Sequence, residues 1–233
     1  MMKRFVLLAM LLSLAGATGA MAVEFPTVAL HVNSVIGKNQ CTAIDPLCDE
    51  IVTNGPVVDG SPDASYNVYM MANINQGEAV RGVELGIWYI GEFDDSNLTE
   101  GINVLSWTSC SDVEFPSADW PAPNSVNTIT FSPSACDARP DSTTNVSILG
   151  NFYVTAYSSS LMQTIPRPNN GKYTISDCSG GEIPMTWPDA AGWVSFGSRP
   201  EGMGCIPCVA PCTSVPVEAN TWGNIKKSLG NGE

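Results

Sequence analysis

The sequence predicts an all-β protein, an antiparallel β-sandwich of jelly-roll or Ig-like type held by disulfides and followed by a short C-terminal helix. Three observations predict it. After residue 25, β-branched and aromatic residues alternate with polar ones in short runs bounded by Gly, Pro, Asn and Asp. No run of helical period stands between those runs, which removes the parallel α/β folds that need a crossover helix. No unit of roughly 20 to 50 residues recurs, which removes propellers and solenoids. The composition fits a globular body: 233 residues, 44% apolar and 14% charged, with 21 Gly and 17 Pro as punctuation.

Eight runs read as strands: 27–35, 66–74, 82–90, 102–110, 126–131, 146–157, 171–176 and 192–196. In the second, Tyr66, Val68, Met70, Ala72 and Ile74 share one face, while Tyr69 and Met71 put apolar bulk on the other. The third is cleaner, with Val83, Leu85, Ile87 and Tyr89 inward and Glu84 outward. Trp88 and Trp107 fall inside strand runs and are assigned to the core. Between the runs, 55–56, 59–63, 116–123, 139–141 and 166–171 carry Pro, Gly and Asp in turn-forming combinations.

The ends differ in character. Met1-Met2-Lys3-Arg4, an apolar run from Phe5, and Ala20-Met21-Ala22 form the pattern of a secretory signal peptide over 1–22. No later segment is long and uncharged enough to span a membrane, which takes about 20 apolar residues. The sandwich is expected over 23–208 and a Pro-rich linker over 209–219. A helical tail follows over 220–233, with Asn220 as N-cap, Trp222, Ile225 and Leu229 on one side, and Lys226 and Lys227 at the negative end of the dipole. Such a tail docks on its own domain or stays frayed, or else serves as a sorting or attachment signal.

Eight cysteines in an exported chain predict four disulfides and no free thiol. Proximity along the chain suggests Cys41–Cys48 and Cys110–Cys136, then Cys178 with Cys205 or Cys208, and Cys212 with the other. A zinc knuckle on Cys205, Cys208 and Cys212 is the rival reading.

The chemistry is bounded by what the chain contains. A formal net charge of −13 repels phosphate backbones and anionic lipid, which sets nucleic acid and membrane surfaces aside as partners. His31 is the only histidine, and no Gly-x-Ser-x-Gly, His-Glu-x-x-His, P-loop or dinucleotide motif is present. No cofactor is expected. Asp59, Asp63, Asp94 and Asp95, with Asn97, offer oxygen ligands for calcium, although no EF-hand spacing is formed. Trp120 and Trp187 each precede a proline in a loop and are the candidates for stacking on a sugar ring or a partner protein, with packing beneath the loop as the alternative.

The stretch 67–107, with the strand Gly82-Val83-Glu84-Leu85-Gly86-Ile87-Trp88-Tyr89 at its centre, resembles the opening strands of cohesin-like modules, which are jelly-roll β-sandwiches. Cohesins do not normally carry this cysteine set. The run 110–123, the strand Phe152-Tyr153-Val154-Thr155-Ala156-Tyr157 and the terminal Thr221-Trp222-Gly223 resemble a group of secreted bacterial proteins that brings no assigned activity. The resulting expectation is a secreted, extracellular or periplasmic β-sandwich without catalytic machinery that acts in surface structure or protein contact. A carbohydrate-binding module is the second reading. The third is a glycoside hydrolase, which needs two carboxyls about 5 to 9.5 Å apart.

Overall fold

The structure is a computed structural model that describes residues 26–34, 41, 59–60, 64–74, 79–132, 147–188 and 190–196, with the side chains of 33, 34, 59 and 60 excepted. The described strands are β1 (Thr27–Ser34), β2 (Asp59–Gly60), β3 (Ala64–Asn73), β4 (Val80–Tyr89), β5 (Gly91–Phe93), β6 (Ile102–Ser109), β7 (Val113–Glu114), β8 (Val126–Thr130), β9 (Ser147–Ala156), β10 (Ser160–Ile165), β11 (Thr174–Asp177), β12 (Glu182–Pro184) and β13 (Trp193–Phe196). Sheet A runs β1-β3-β9-β6-β5. Sheet B runs β12-β11-β4-β10-β13-β2, and β8 followed by β7 lies along the other edge of β4. All ladders are antiparallel except β5–β6 and β13–β2. The described body is all-β, as the sequence predicts, and the two sheets enclose one core.

All eight expected runs contain a strand. The alternation read for β4 holds, because Val83, Leu85, Ile87 and Tyr89 are in the core cluster and Glu84 points away from it. Trp88 therefore faces outward, half-buried, and its assignment to the core is corrected by the parity of its own strand. Strand β10 was not expected. The run 146–157 ends at a bend, and the chain returns as β10 to pair with β4 in the opposite sheet.

Two contacts close the sandwich at its sides. At Ile90–Gly91 the chain steps from sheet B to sheet A: Ile90 N–H donates to Leu161 O (3.1 Å), and Ile90 O accepts from Ile102 N–H (2.8 Å). Gly91 has φ +148°, and a Cβ there would fall on the carbonyl oxygen of Ile102, so the step requires glycine. On the opposite side, Val28 N–H of β1 donates to Ala190 O (3.2 Å). Ala190 is held by a buried chain of bonds: Gly192 N–H to Thr164 Oγ1 (3.0 Å), Thr164 Oγ1 to Tyr173 Oη (2.8 Å), and Tyr173 O–H to Ala190 O (3.1 Å). Burial raises the Tyr173 hydroxyl above the usual tyrosine range, so it remains a donor.

The expected pairings Cys41–Cys48 and Cys110–Cys136 are corrected. Cys41 is bonded to Cys110, 69 residues away, with their Cα atoms 5.2 Å apart. A cysteine makes one bridge, so both local pairings go; closeness along the chain did not decide, because β6 ends where residue 41 arrives. Cys178 is also disulfide-bonded. The other cysteines, the expected signal peptide, the linker and the C-terminal helix lie outside the described residues.

The outer faces of the two sheets differ. In sheet A the core side carries Leu30, Val68, Met70, Phe152 and Val154, yet the side turned away from the core is buried too: Ala29, His31, Tyr69, Met71, Ile148 and Asn151 are each at most 2% exposed. Sheet B leaves its outer side half-exposed at Glu84, Trp88, Thr128, Thr130, Thr174 and Ser176.

His31 is fully buried, with no bond to Nδ1. Burial lowers its pKa from 6.5 to about 4. Between pH 6.5 and 4 the unfolded chain binds a proton here that the folded chain refuses, so stability falls as pH drops through that window. The shift is worth roughly 3 kcal/mol once both values are passed. Urea unfolding at pH 7 and pH 4 measures it, and His31→Gln is expected to lose less stability across that interval than the wild type.

Candidate functional site

Register lays out the outer face of sheet B in two rows. Phe115 exchanges both backbone bonds with Thr128 (2.8 and 3.3 Å), Thr128 stands opposite Glu84, Glu84 opposite Thr174, and Thr174 opposite Pro184. The neighbouring row is Val113, Thr130, Gly82, Ser176 and Glu182. Since Val83 and Leu85 point to the core, both rows point away from it. The result is a broad face with an apolar edge. Phe115 is 63% and Val113 50% exposed, whereas Glu114 between them turns inward.

Charge is concentrated in the middle of this face and is already paired. Arg167, from the connection between β10 and β11, donates to Glu84 Oε1 (2.9 Å) and to Thr128 Oγ1 (3.2 Å). Lys172 Nζ lies 3.1 Å from Glu84 Oε2 and 3.6 Å from Glu182 Oε2. The hydrogen bond that Lys172 donates to Glu84, then the charge of that carboxylate, hold the Lys172 ammonium above its ordinary range. A face of paired charges, hydroxyls and an apolar rim is suited to meeting another protein surface.

Beneath the apolar edge lies an aromatic seat. Glu114 Oε2 accepts from Trp107 Nε1 (3.0 Å) and Asn127 Nδ2 (2.9 Å), which ties β6 in sheet A to β7 and β8 in sheet B. The Trp107 ring packs on Phe152, 4.5 Å between centroids, and lies against Gly150, where a Cβ would collide with the indole.

The residues singled out from sequence fall elsewhere. Trp120 sits in the turn closed by Trp120 N–H to Ser117 O (3.1 Å) and packs edge-on against Trp107, 5.4 Å between centroids. Trp187 donates from Nε1 to Thr164 O (3.3 Å). Both indoles pack against the core cluster and are held by different neighbours, so the fold gives each a packing role. Both are followed by a cis proline. Asp94 and Asp95 lie in the β5–β6 connection, where Asp95 Oδ1 accepts from Asn97 N–H (2.8 Å) and Asp95 O from Asn103 Nδ2 (2.7 Å). The side chain of Asp59 and all of Asp63 are outside the described residues. Among the described residues, no three His, Cys, Asp or Glu side chains gather to hold a metal, and no helix is long and apolar enough to cross a membrane.

No protein-family model matches the chain, and no curated protein does. Solved structures do. Three of them are the cohesin module of a family 33 glycoside hydrolase from Clostridium perfringens (TM-score 0.41, 10% identity, 76% of this chain and 99% of that one), a type I cohesin from Clostridium thermocellum solved with a dockerin (0.39, 10%, 73% and 93%), and a non-cellulosomal cohesin from the archaeon Archaeoglobus fulgidus (0.37, 10%, 74% and 92%). The chain resembles cohesin modules. The likeness is loose, with one residue in ten identical.

Phe115 and Val113 were missed in the sequence, as was the pairing of Glu84 with Arg167. The usable signal was Asp112-Val113-Glu114-Phe115 before Pro116, an alternation ending on a residue that cannot donate to a ladder and so reads as an edge strand. The seat under that edge makes a prediction. Gly150→Ala must displace Trp107 and is expected to cost about 1–3 kcal/mol in urea unfolding, with a changed tryptophan emission in the folded state.

Proposed function

We propose that this chain is a secreted, non-enzymatic β-sandwich that makes protein contacts at the cell surface or outside it, through the outer face of sheet B. One observation carries the reading. The outer side of sheet A is buried at Ala29, His31, Tyr69, Met71, Ile148 and Asn151, while sheet B presents its outer side with two exposed apolar residues, Phe115 and Val113, on a rim beside paired charges. Exposed apolar side chains grouped beside polar ones mark contact surfaces more often than isolated ones do. The basic, apolar and small-residue pattern of 1–22 and the Cys41–Cys110 bridge support export to an oxidising compartment.

The pair Val113→Asp and Phe115→Asp tests it. Both side chains are exposed, so folding stability is expected to change by less than about 0.5 kcal/mol per site. Immobilised wild-type protein is expected to retain a partner from the secreted protein fraction of its own cells in near-stoichiometric amount, and the double variant to lose it. Equal retention by both proteins contradicts the proposal, as does binding of wild type to purified polysaccharides in place of protein.

A further inference from the structure

The outer side of sheet B carries a second group of residues, set apart from the rim at Phe115. Gln163 of β10 stands opposite Trp88 of β4 on one side and opposite Trp193 of β13 on the other. Tyr89, Met162 and Val194 belong to the core cluster, so Trp88, Gln163 and Trp193 all point outward, and each is half-buried. We propose that the Trp88–Gln163–Trp193 row is a binding site for a neutral, straight-chain oligosaccharide of β-1,4-linked pyranose units, separate from the rim at Val113 and Phe115.

Trp107, Trp120 and Trp187 pack against the core cluster, whereas Trp88 and Trp193 do not. Among the described residues, neither of these two indoles has an aromatic neighbour or a side-chain hydrogen bond. Large aromatic faces left open in one row mark a contact surface. The chemistry alternates along the row: indole, amide, indole. On the flank of Trp88 away from Gln163, Asn124 N–H donates to Ile87 O (2.8 Å), which brings a second, exposed amide residue beside the row. An indole face packs on the C–H face of a pyranose ring, and an amide, with two N–H donors and a carbonyl acceptor, takes the hydroxyls around its edge.

Spacing and charge select the ligand. At about 4.8 Å per strand, the two tryptophan positions are about 10 Å apart along the row, the length of two rings in a straight, equatorially linked pyranose chain. Adjacent strands turn by about 20–25°, so the two indoles are rotated about the row by roughly 45°. A single chain can turn with them, and the flat face of a crystalline polysaccharide cannot. No charged side chain stands in the row or in the pairs beside it, Leu161–Ser195 and Gly86–Ile165. Arg167 is committed to Glu84, four residues away along β4. With a net charge of −13 and no free cation here among the described residues, the row suits a neutral glycan and repels an anionic one.

Calorimetric titration with cellohexaose, and with maltohexaose alongside, tests the site. Wild type is expected to bind cellohexaose and not maltohexaose, whose α-links curl the chain off a straight row. Trp88→Ala and Trp193→Ala are each expected to weaken cellohexaose binding at least about tenfold, and Gln163→Ala by a smaller factor. Oxidation of wild type by N-bromosuccinimide, mapped by mass spectrometry, gives a reading that needs no variant: cellohexaose is expected to slow oxidation of Trp88 and Trp193 and to leave Trp120 unchanged. Cellohexaose binding alongside a retained protein partner is the joint expectation with the contact proposed at the rim. No binding of cellohexaose to folded wild type at millimolar concentration overturns the sugar site. So does binding that survives both tryptophan substitutions in folded protein, binding that leaves Trp88 and Trp193 unprotected, or equal affinity for maltohexaose.

Discussion

Burying residues on both sides is the constraint that β1, β3 and β9 carry, because apolar bulk has to pack on the side away from the core as well as on the core side. It explains why Tyr69 and Met71 are apolar on the side away from the core. It also explains why the only histidine stays neutral, since His31 sits where water cannot solvate an imidazolium. The outer side of sheet B is half-exposed by contrast. Closure then follows from two local devices: glycine at the Ile90–Gly91 step, and the Thr164–Tyr173–Ala190 bonds that hold the β13 approach against β1.

Strand periodicity was legible wherever one side of a strand is core and the other wet. Glu84 among Val83, Leu85 and Ile87 is such a case, and its inward and outward positions were read correctly. In β3 the alternation was imperfect because both sides are buried, and the second buried side showed only as unexplained bulk at Tyr69 and Met71. The bend between β9 and β10 was illegible, since a run of strand formers does not say where the chain changes sheets. The bridge was misread for a similar reason: Cys41 finds Cys110 only after β1 and β6 are set into one sheet with two strands between them.

The candidate site was hidden by the same logic. Tryptophans next to prolines draw notice in a sequence, yet Trp120 and Trp187 pack against the core cluster. Phe115 and Val113 are ordinary residues whose meaning comes from standing at the edge of a sheet, in register with Thr128 and Thr130. Arg167 reaches Glu84 across 83 residues of sequence, a pairing set by the antiparallel return of β10 and β11 along β4.

Hydroxyl-radical footprinting of the folded protein tests the inequality of the two sheets most directly, since methionine and phenylalanine both oxidise readily when water reaches them. The account predicts that Phe115 is oxidised while Met71, on the outer side of sheet A, is spared at the same dose. Oxidation of Met71 at a rate comparable to Phe115 in the native, bridged protein would contradict it.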